Sequence, residues 1–127
     1  MESENITILL DGTPFSCRLD PVRSPKTVEA LLDALPLSSR PAQWGGELYI
    51  DVPFHRDPER ATTNLHPGDI AYWPPGDVLC VFFGATPAST GDRPVPASPV
   101  TVVGSLEGYG RIARLCPVAV MDVRGGT

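Results

Sequence analysis

The sequence predicts a mainly β protein that folds as a closed antiparallel barrel of eight strands. Short apolar runs rich in β-branched and aromatic residues alternate with turns containing Gly, Pro or Asp, a pattern typical of many short strands. One segment has apolar residues at helical spacing, so one main amphipathic helix is expected, with a short second helix as an option. Barrel closure is expected because it removes the sheet edges that a chain of 127 residues has little material to cover. We expect a single domain over residues 1–127.

The chain begins with a predicted hairpin. Residues 5–10 alternate as a strand, and Asp11-Gly12 is a dipeptide that favours a tight hairpin turn. The second strand, residues 15–19, is expected to face inward with Phe15, Cys17 and Leu19.

The main helix is predicted to begin after the second strand. Ser24 is a suitable N-cap and Pro25 suits the first helical position. Pro36 ends the helix, whose apolar stripe consists of Val28, Leu31, Leu32 and Leu35. A helix with a single apolar stripe covers a sheet rather than building a helical bundle.

The middle of the chain contains two more predicted strands and a loop. Residues 37–43 are expected to form a strand interrupted by Pro41, and Trp44-Gly45-Gly46 a bend. In the next strand, residues 47–52, alternation places Glu47, Tyr49 and Asp51 on one face and Leu48, Ile50 and Val52 on the other. Residues 53–66 lack periodicity and are expected to be a polar loop.

Residues 68–84 predict an aromatic hairpin. Two apolar runs flank a Pro-Pro-Gly-Asp turn, and this stretch holds four of the chain's nine aromatic residues. So many aromatic side chains are expected to form core, a binding surface, or both. A Pro-rich loop follows over residues 84–99, then a strand at 100–106, a turn or short helix at 107–115, and a last strand at 117–123.

Composition excludes several classes of function. The net charge of −5 lacks the basic face that a nucleic-acid binder needs, and it disfavours adhesion to an anionic membrane. The acidic first residues do not resemble a signal peptide, and no apolar run is long enough to span a bilayer. Cys17, Cys80 and Cys116 are widely spaced among apolar residues, so free thiols in a reducing cytoplasm are expected.

Several stretches resemble known sequences. Residues 25–31 are similar to the Pro-x-Thr-x-Glu pattern that begins the first helix of cyclophilins, and residues 101–109 resemble a Val-Val-Phe-Gly segment near the cyclophilin C-terminus. Residues 44–49, 68–76 and 82–87 match motifs of the small prokaryotic cyclophilin-like domain family, whose activity is not characterised. The resemblance implies an eight-stranded antiparallel barrel capped by helices, in agreement with the strand count from the residues.

The resemblance does not extend to the isomerase residues of cyclophilins. Those enzymes use an Arg that donates to the substrate near the prolyl nitrogen, but the corresponding strand here is 47–51 and holds no Arg. If Glu47 lies near that position, an acceptor replaces the donor. We interpret Phe54-His55-Arg56 as a coincidental match, because it lies in a predicted loop. Ordinary prolyl isomerase activity is therefore not expected.

We expect a ligand to use the outer wall or the mouth of the barrel, because side chains fill the interior of a small barrel. Glu47, Tyr49 and Tyr72 lead the candidates, and Glu47 is the candidate catalytic residue. The full set of expected ligand-binding residues is Trp44, Glu47, Tyr49, Tyr72, Trp73, Phe82 and Phe83. His55 and His66 have no third ligand at metal spacing, so no metal is expected, and no motif indicates a cofactor.

Three functions are consistent with these residues. The first is binding of a small molecule or a peptide in an aromatic groove with an acidic residue, which favours a cationic or hydrogen-bond-donating ligand. The second is an enzyme that uses Glu47 as general acid or base, with weak prolyl isomerase activity as a special case. The third is an interaction module whose exposed aromatic residues form a homodimer surface.

Overall fold

A curled antiparallel sheet dominates the computed structural model, which describes residues 4–126. The predicted lack of a signal peptide rests partly on residues 1–3, which lie outside the described residues. The described part of the chain forms nine strands: β1 Asn5–Leu10, β2 Thr13–Leu19, β3 Leu37–Ser39, β4 Ala42–Trp44, β5 Glu47–Asp51, β6 Asp69–Trp73, β7 Val78–Phe82, β8 Thr101–Leu106 and β9 Met121–Gly125. Their order in the sheet is β3-β9-β1-β2-β8-β6-β7-β5-β4, and every pair is antiparallel.

The two ends of this sheet are neighbours in sequence. β3 pairs with β9 at one end and β4 pairs with β5 at the other, and only Arg40 and Pro41 separate the two strands. The segment predicted as one strand interrupted by Pro41 is therefore the link that brings the sheet round on itself. Counting its halves separately gives nine strands instead of the predicted eight, and the barrel-like class is confirmed.

Both predicted hairpins are present. Asp11 and Gly12 have φ values of 49° and 85°, as a two-residue turn between β1 and β2 requires. The second turn joins β6 to β7, with Asp77 at φ 50° and its N–H donating to the carbonyl of Pro74 at 3.3 Å. Phe15, Cys17 and Leu19 of β2 are buried as expected.

Apolar side chains cover both faces of the central strands. The inner core fills the concave side of the sheet and includes Ile8, Leu48, Ile50, Tyr72 and Leu79. A second group, here called the outer cluster, lies on the convex side and comprises Leu65, Ala71, Val78, Cys80, Phe82, Val100 and Val102. All five residues of β7 are consequently buried. The outer cluster provides the apolar base for a site on the outer wall.

The main helix, α1, extends over Pro25–Ala34, and Pro25 occupies its first turn as predicted. Ser24 stands at the N-cap but makes no side-chain cap bond, because its hydroxyl donates to the carbonyl of Val102. Glu59 of the loop 53–66 takes that role instead: its carboxylate accepts from the N–H of Lys26 at 3.2 Å and of Thr27 at 2.8 Å. Ser24 thus occupies the predicted N-cap position, but the capping hydrogen bonds are made by Glu59 and not by Ser24.

The C-terminal elements differ slightly from the expected boundaries. A 3-10 helix at Tyr109–Leu115 provides the optional second helix. The last strand begins at Met121 rather than at residue 117, because the N–H groups of Ala119 and Val120 donate to the Asp11 carboxylate instead of to a neighbouring strand. Within residues 4–126, no helix is long and apolar enough to cross a membrane.

Candidate functional site

A pocket of about 290 Å³ lies on the convex face of the sheet, over strands β4, β5, β7 and β6. Its walls are predominantly apolar, with the carboxyl of Glu47 as the acidic group. The lining residues are Trp44, Glu47, Tyr49, Trp73, Val78, Cys80, Pro96, Ala97 and Val100.

Strand register explains why these side chains meet. Directly paired residues of an antiparallel sheet project from the same face. Trp44 of β4 pairs with Glu47 of β5. Two residues further along β5, Tyr49 pairs with Cys80 of β7. At the other end of β7, Val78 pairs with Trp73 of β6, and the convex face thus presents a continuous band of pocket residues.

The Pro-rich loop 84–99 forms the remaining wall. Inside the loop, the buried Thr86 hydroxyl donates to the carbonyl of Val95, and the Ser89 hydroxyl donates to the carbonyl of Arg93 at 2.7 Å. The indole N–H of Trp73 then donates to Ser98 Oγ at 2.7 Å, which ties the loop to β6. These bonds hold Pro96 and Ala97 over the strands.

A close backbone contact fixes the rim of the pocket beside Trp44. The N–H of Phe83 donates to the carbonyl of Gly46 at 2.8 Å, and the N–H of Gly46 donates to the carbonyl of Ala85 at 2.8 Å. A Cβ on Gly46 would overlap the backbone of Gly84, so only glycine permits this approach. The bend predicted at Trp44-Gly45-Gly46 is present, and Gly45 has φ 58°.

Glu47 is the buried acid of the site. Its side chain and backbone together are only 7% exposed, and its carboxyl accepts a hydrogen bond from the Cys80 thiol. Burial raises the pKa of Glu47 above its ordinary value of 4.5, and the thiol hydrogen bond only partly opposes this. Burial, with the adjacent Glu47 charge, raises the pKa of Cys80 well above 9.0, which keeps Cys80 a neutral thiol and a poor nucleophile.

The structure brings together four of the seven expected site residues, namely Trp44, Glu47, Tyr49 and Trp73. Phe82 is fully buried in the outer cluster, on which Tyr49 and Trp73 pack, so it supports the pocket without lining it. Phe83 is partly buried against the inner core, on the opposite face of the sheet.

Tyr72 lies on the concave face, since alternation in β6 sends Trp73 outward and Tyr72 inward. Its ring stacks on Phe54 with 5.3 Å between centroids. Its hydroxyl donates to Asp77 Oδ1 at 2.6 Å and accepts from the N–H of Arg56 at 3.0 Å. Burial and then the Asp77 hydrogen bond raise the pKa of Tyr72 to about 12. The bond from Arg56 joins this phenol to the loop 53–66, on the face of the sheet opposite the pocket.

Sequence reasoning missed Val78, Cys80, Pro96, Ala97 and Val100 as pocket residues. Val78 and Cys80 alternate with Leu79 and Val81 along β7, which places them on the same face as Tyr49. The alternation along β7 is visible in the sequence, but its relation to Tyr49 depends on the pairing of β7 with β5. The position of the loop residues depends on long-range hydrogen bonds that no local pattern encodes.

The pocket has the chemistry of a binding site with one acidic group. No Lys, Arg or His is among the described residues that line it. Arg56 of the Phe-His-Arg stretch instead donates to the carbonyl of His55 at 2.9 Å, in the loop 53–66. The residues described by the structure contain no cluster of three or more His, Cys, Asp or Glu side chains suited to a metal ion.

Comparison with known proteins gives a family and a structural relative. A family model described as Cyclophilin-like matches residues 4–116. The solution structure of a hypothetical protein from Archaeoglobus fulgidus is similar, with a TM-score of 0.78 and 29% sequence identity over 98% of this chain and 95% of that one. No curated protein sequence matches this chain.

Proposed function

Because the chain belongs to the Cyclophilin-like family and its pocket encloses a buried carboxyl, we propose that it binds a small molecule or a peptide side chain there, without prolyl isomerase chemistry. The enclosure of Glu47 is the observation that carries this proposal. Burying a carboxyl costs free energy unless a partner compensates it. The Cys80 thiol, a weak donor, is a poor partner for a carboxylate, so a ligand would complete the hydrogen bonding of Glu47.

The size of the pocket agrees with a small ligand. Its volume of about 290 Å³ is just below the range of roughly 300–1,000 Å³ that is typical of ligand pockets. Three large rings, those of Trp44, Tyr49 and Trp73, offer flat apolar surfaces. A compact molecule, or one side chain of a peptide, matches these dimensions.

The same lining argues against catalysis of prolyl rotation. That chemistry requires a cationic donor near the prolyl nitrogen, and the described lining offers a carboxyl in its place. Assays on a library of X-Pro peptides should therefore show no turnover above background.

A fragment screen with a blocked variant tests the binding proposal. Ala97 is exposed at the pocket, so Ala97→Phe should fill the cavity without disturbing the core. Ala88→Phe is the matched control, because Ala88 is exposed in the same loop and does not line the pocket. Fragments that raise the melting temperature of the wild type and of Ala88→Phe, but not of Ala97→Phe, would support the proposal. Equal shifts in all three proteins would refute it.

The raised pKa of Glu47 favours a second candidate, an enzyme with Glu47 as general acid or base. The two candidates differ in how Glu47→Gln behaves. The change weakens capture of a ligand if Glu47 only binds it, whereas it abolishes turnover if Glu47 carries a proton. A substrate found in the fragment screen, followed for product formation by NMR, separates the two.

A further inference from the structure

We propose that the ligand of this pocket is a small apolar amine bound as its ammonium ion, with the charged group on Glu47 beside Trp44 and the apolar body extending toward Trp73. The inference rests on the proposed function, because it names the chemistry that the same pocket selects. Three features of the described lining carry it: one carboxyl at one end, apolar side chains at the opposite end, and no cationic side chain.

The pocket has two chemically different ends. Glu47 lies opposite Phe82, and Trp73 lies opposite Val78, four residues away along β7. At the rise of a β-strand this offset is about 13 Å. The carboxyl and Trp44 therefore mark one end, and the Trp73 ring marks the other.

The Trp73 end of the pocket is lined by apolar side chains, and the exposed Asp51 lies outside the lining, opposite Val78 on the same face. The indole N–H of Trp73 is its one polar side-chain group, and its hydrogen bond to Ser98 Oγ at 2.7 Å removes it from the ligand's reach. Val78, which pairs with Trp73, and Val100, which belongs to the outer cluster on which Trp73 packs, add no polar side-chain atom at this end. This end suits an aromatic or aliphatic body.

At the other end, no described lining residue neutralises the charge of Glu47, so a ligand would have to neutralise it. Cys80 on β7 is held as a neutral thiol, Trp44 on β4 does not titrate, and Tyr49 is the other titratable residue of β5 at the pocket. The loop 84–99 contributes Pro96 and Ala97, which carry no charge. In this partly enclosed site an ammonium ion would neutralise the carboxylate and also lie against the faces of aromatic rings. A neutral donor leaves the charge in place, and an anion is repelled.

A series of probes with one common body tests the inference. The probes are 2-phenylethylamine, its N-trimethylated analogue, 2-phenylethanol and 3-phenylpropanoate. The chain contains two tryptophans, and both line the pocket, so their fluorescence and indole N–H signals in NMR report occupancy directly. We expect the two cations to bind at least about tenfold more tightly than the alcohol, and the carboxylate to bind weakest.

Two isosteric variants show whether Glu47 sets this order. Glu47→Gln should reduce the affinity for both cations by about tenfold or more and change that for the alcohol by less than about threefold. Glu29→Gln, at an exposed position of α1 that does not line the pocket, should leave all affinities unchanged. If Glu47→Gln weakens cations and alcohol equally, the inference is wrong.

The pH dependence of probe affinity in the wild type is an independent test. Lowering the pH through the raised pKa of Glu47 neutralises the carboxyl, so affinity for the permanently charged trimethylated probe should fall while that for the alcohol stays constant. An affinity for this cation that does not change with pH contradicts the inference.

The same assay separates the sources of the ammonium group and the two levels of the proposal. A Gly-Lys-Gly peptide that binds more tightly than both its acetyl-lysine form and 2-phenylethylamine would make a peptide the source. If 2-phenylethylamine binds more tightly than Gly-Lys-Gly, the source is a free amine. If the alcohol or the carboxylate binds more tightly than the two cations, the ammonium inference is wrong but the proposal of a ligand pocket stands. If no probe changes either indole signal and the fragment screen is also negative, the proposed function itself fails.

Discussion

Ionisation of the buried Glu47 opposes folding of the unliganded protein. Its pKa is above 4.5 in the folded protein, so the folded state binds the proton more tightly than the unfolded chain does. The stability that goes with this proton is present at low pH and is lost as pH rises through the folded pKa. Retaining a buried charge at such a cost is typical of a functional site.

Replacing this residue should therefore stabilise the fold. We predict that Glu47→Gln raises the free energy of unfolding at pH 7 by roughly 1 kcal/mol, measured by urea denaturation. The difference from the wild type should shrink as pH falls toward 4.5, and Asp51→Asn should show no such gain. A Glu47→Gln protein that is less stable than the wild type at pH 7 would contradict this account of the site.

Gly46 is a second residue whose identity the structure explains. A Cβ there would overlap the Gly84 backbone, at the rim that positions Trp44. We predict that Gly46→Ala lowers the free energy of unfolding by about 1–3 kcal/mol, the usual range for overpacking. Gly91→Ala is the matched control, since a Cβ at Gly91 meets no atom within 4 Å. Equal melting temperatures for the two variants would show that the backbone contact is not tight.

Among the elements, α1 depends on a partner from outside its own sequence. Glu59 accepts hydrogen bonds from Thr27 Oγ1 at 2.7 Å and from two backbone N–H groups of the first turn. Partial burial acts to raise the pKa of Glu59, but the Thr27 and Lys26 hydrogen bonds and the Lys26 charge outweigh it, and the pKa lies below 4.5. The loop 53–66 and the helix are thereby joined.

We predict that Glu59→Ala costs about 1 kcal/mol of unfolding free energy at pH 7, as loss of a helix cap does. Because the folded pKa is depressed, the contribution is present above pH 4.5 and disappears as pH falls through the folded value. Glu29→Ala, an exposed change on α1, is the control for the loss of one negative charge. Denaturation curves at pH 7 and at pH 3 measure both effects, and a pH-independent loss would exclude the charged cap.

The elements that the sequence predicted correctly are those with local signals. Asp11-Gly12 and the Pro-Pro-Gly-Asp turn specify their hairpins through backbone conformation alone, and Pro25 and Pro36 bound the helix. The sequence pattern predicts Ser24 as the helix cap because such a pattern shows only nearby partners. Glu59 reaches the helix from more than thirty residues away, and no local pattern reveals that contact.

The candidate site was predictable to the extent that strand alternation determines it. Glu47 and Tyr49 share a face in any regular strand, and the adjacent bend points to Trp44. In β6 the interior residues are buried on both faces, so hydropathy does not reveal that Tyr72 points inward and Trp73 outward. Pro96 and Ala97 reach the pocket through long-range hydrogen bonds of the loop 84–99, which no local sequence pattern shows.

At the scale of the whole molecule, the convex pocket could serve either of two functions: binding of a small ligand, or association with a second copy of the chain. The homodimer interpretation places a second copy on the rim formed by Trp44, Tyr49 and Trp73. It predicts a mass by light scattering that doubles with protein concentration and returns to that of a monomer in Ala97→Phe. A monomer mass at every concentration would rule that interpretation out and leave the ligand pocket as the use of these rings.

Chemical-shift mapping with any fragment that binds tests the central claim most directly. The claim predicts that the largest changes fall on the indole N–H groups of Trp44 and Trp73 and on the backbone amides of Glu47, Cys80 and Ala97. Changes confined to the region around His55, Tyr72 and Asp77, with the two indole signals unmoved, would contradict it.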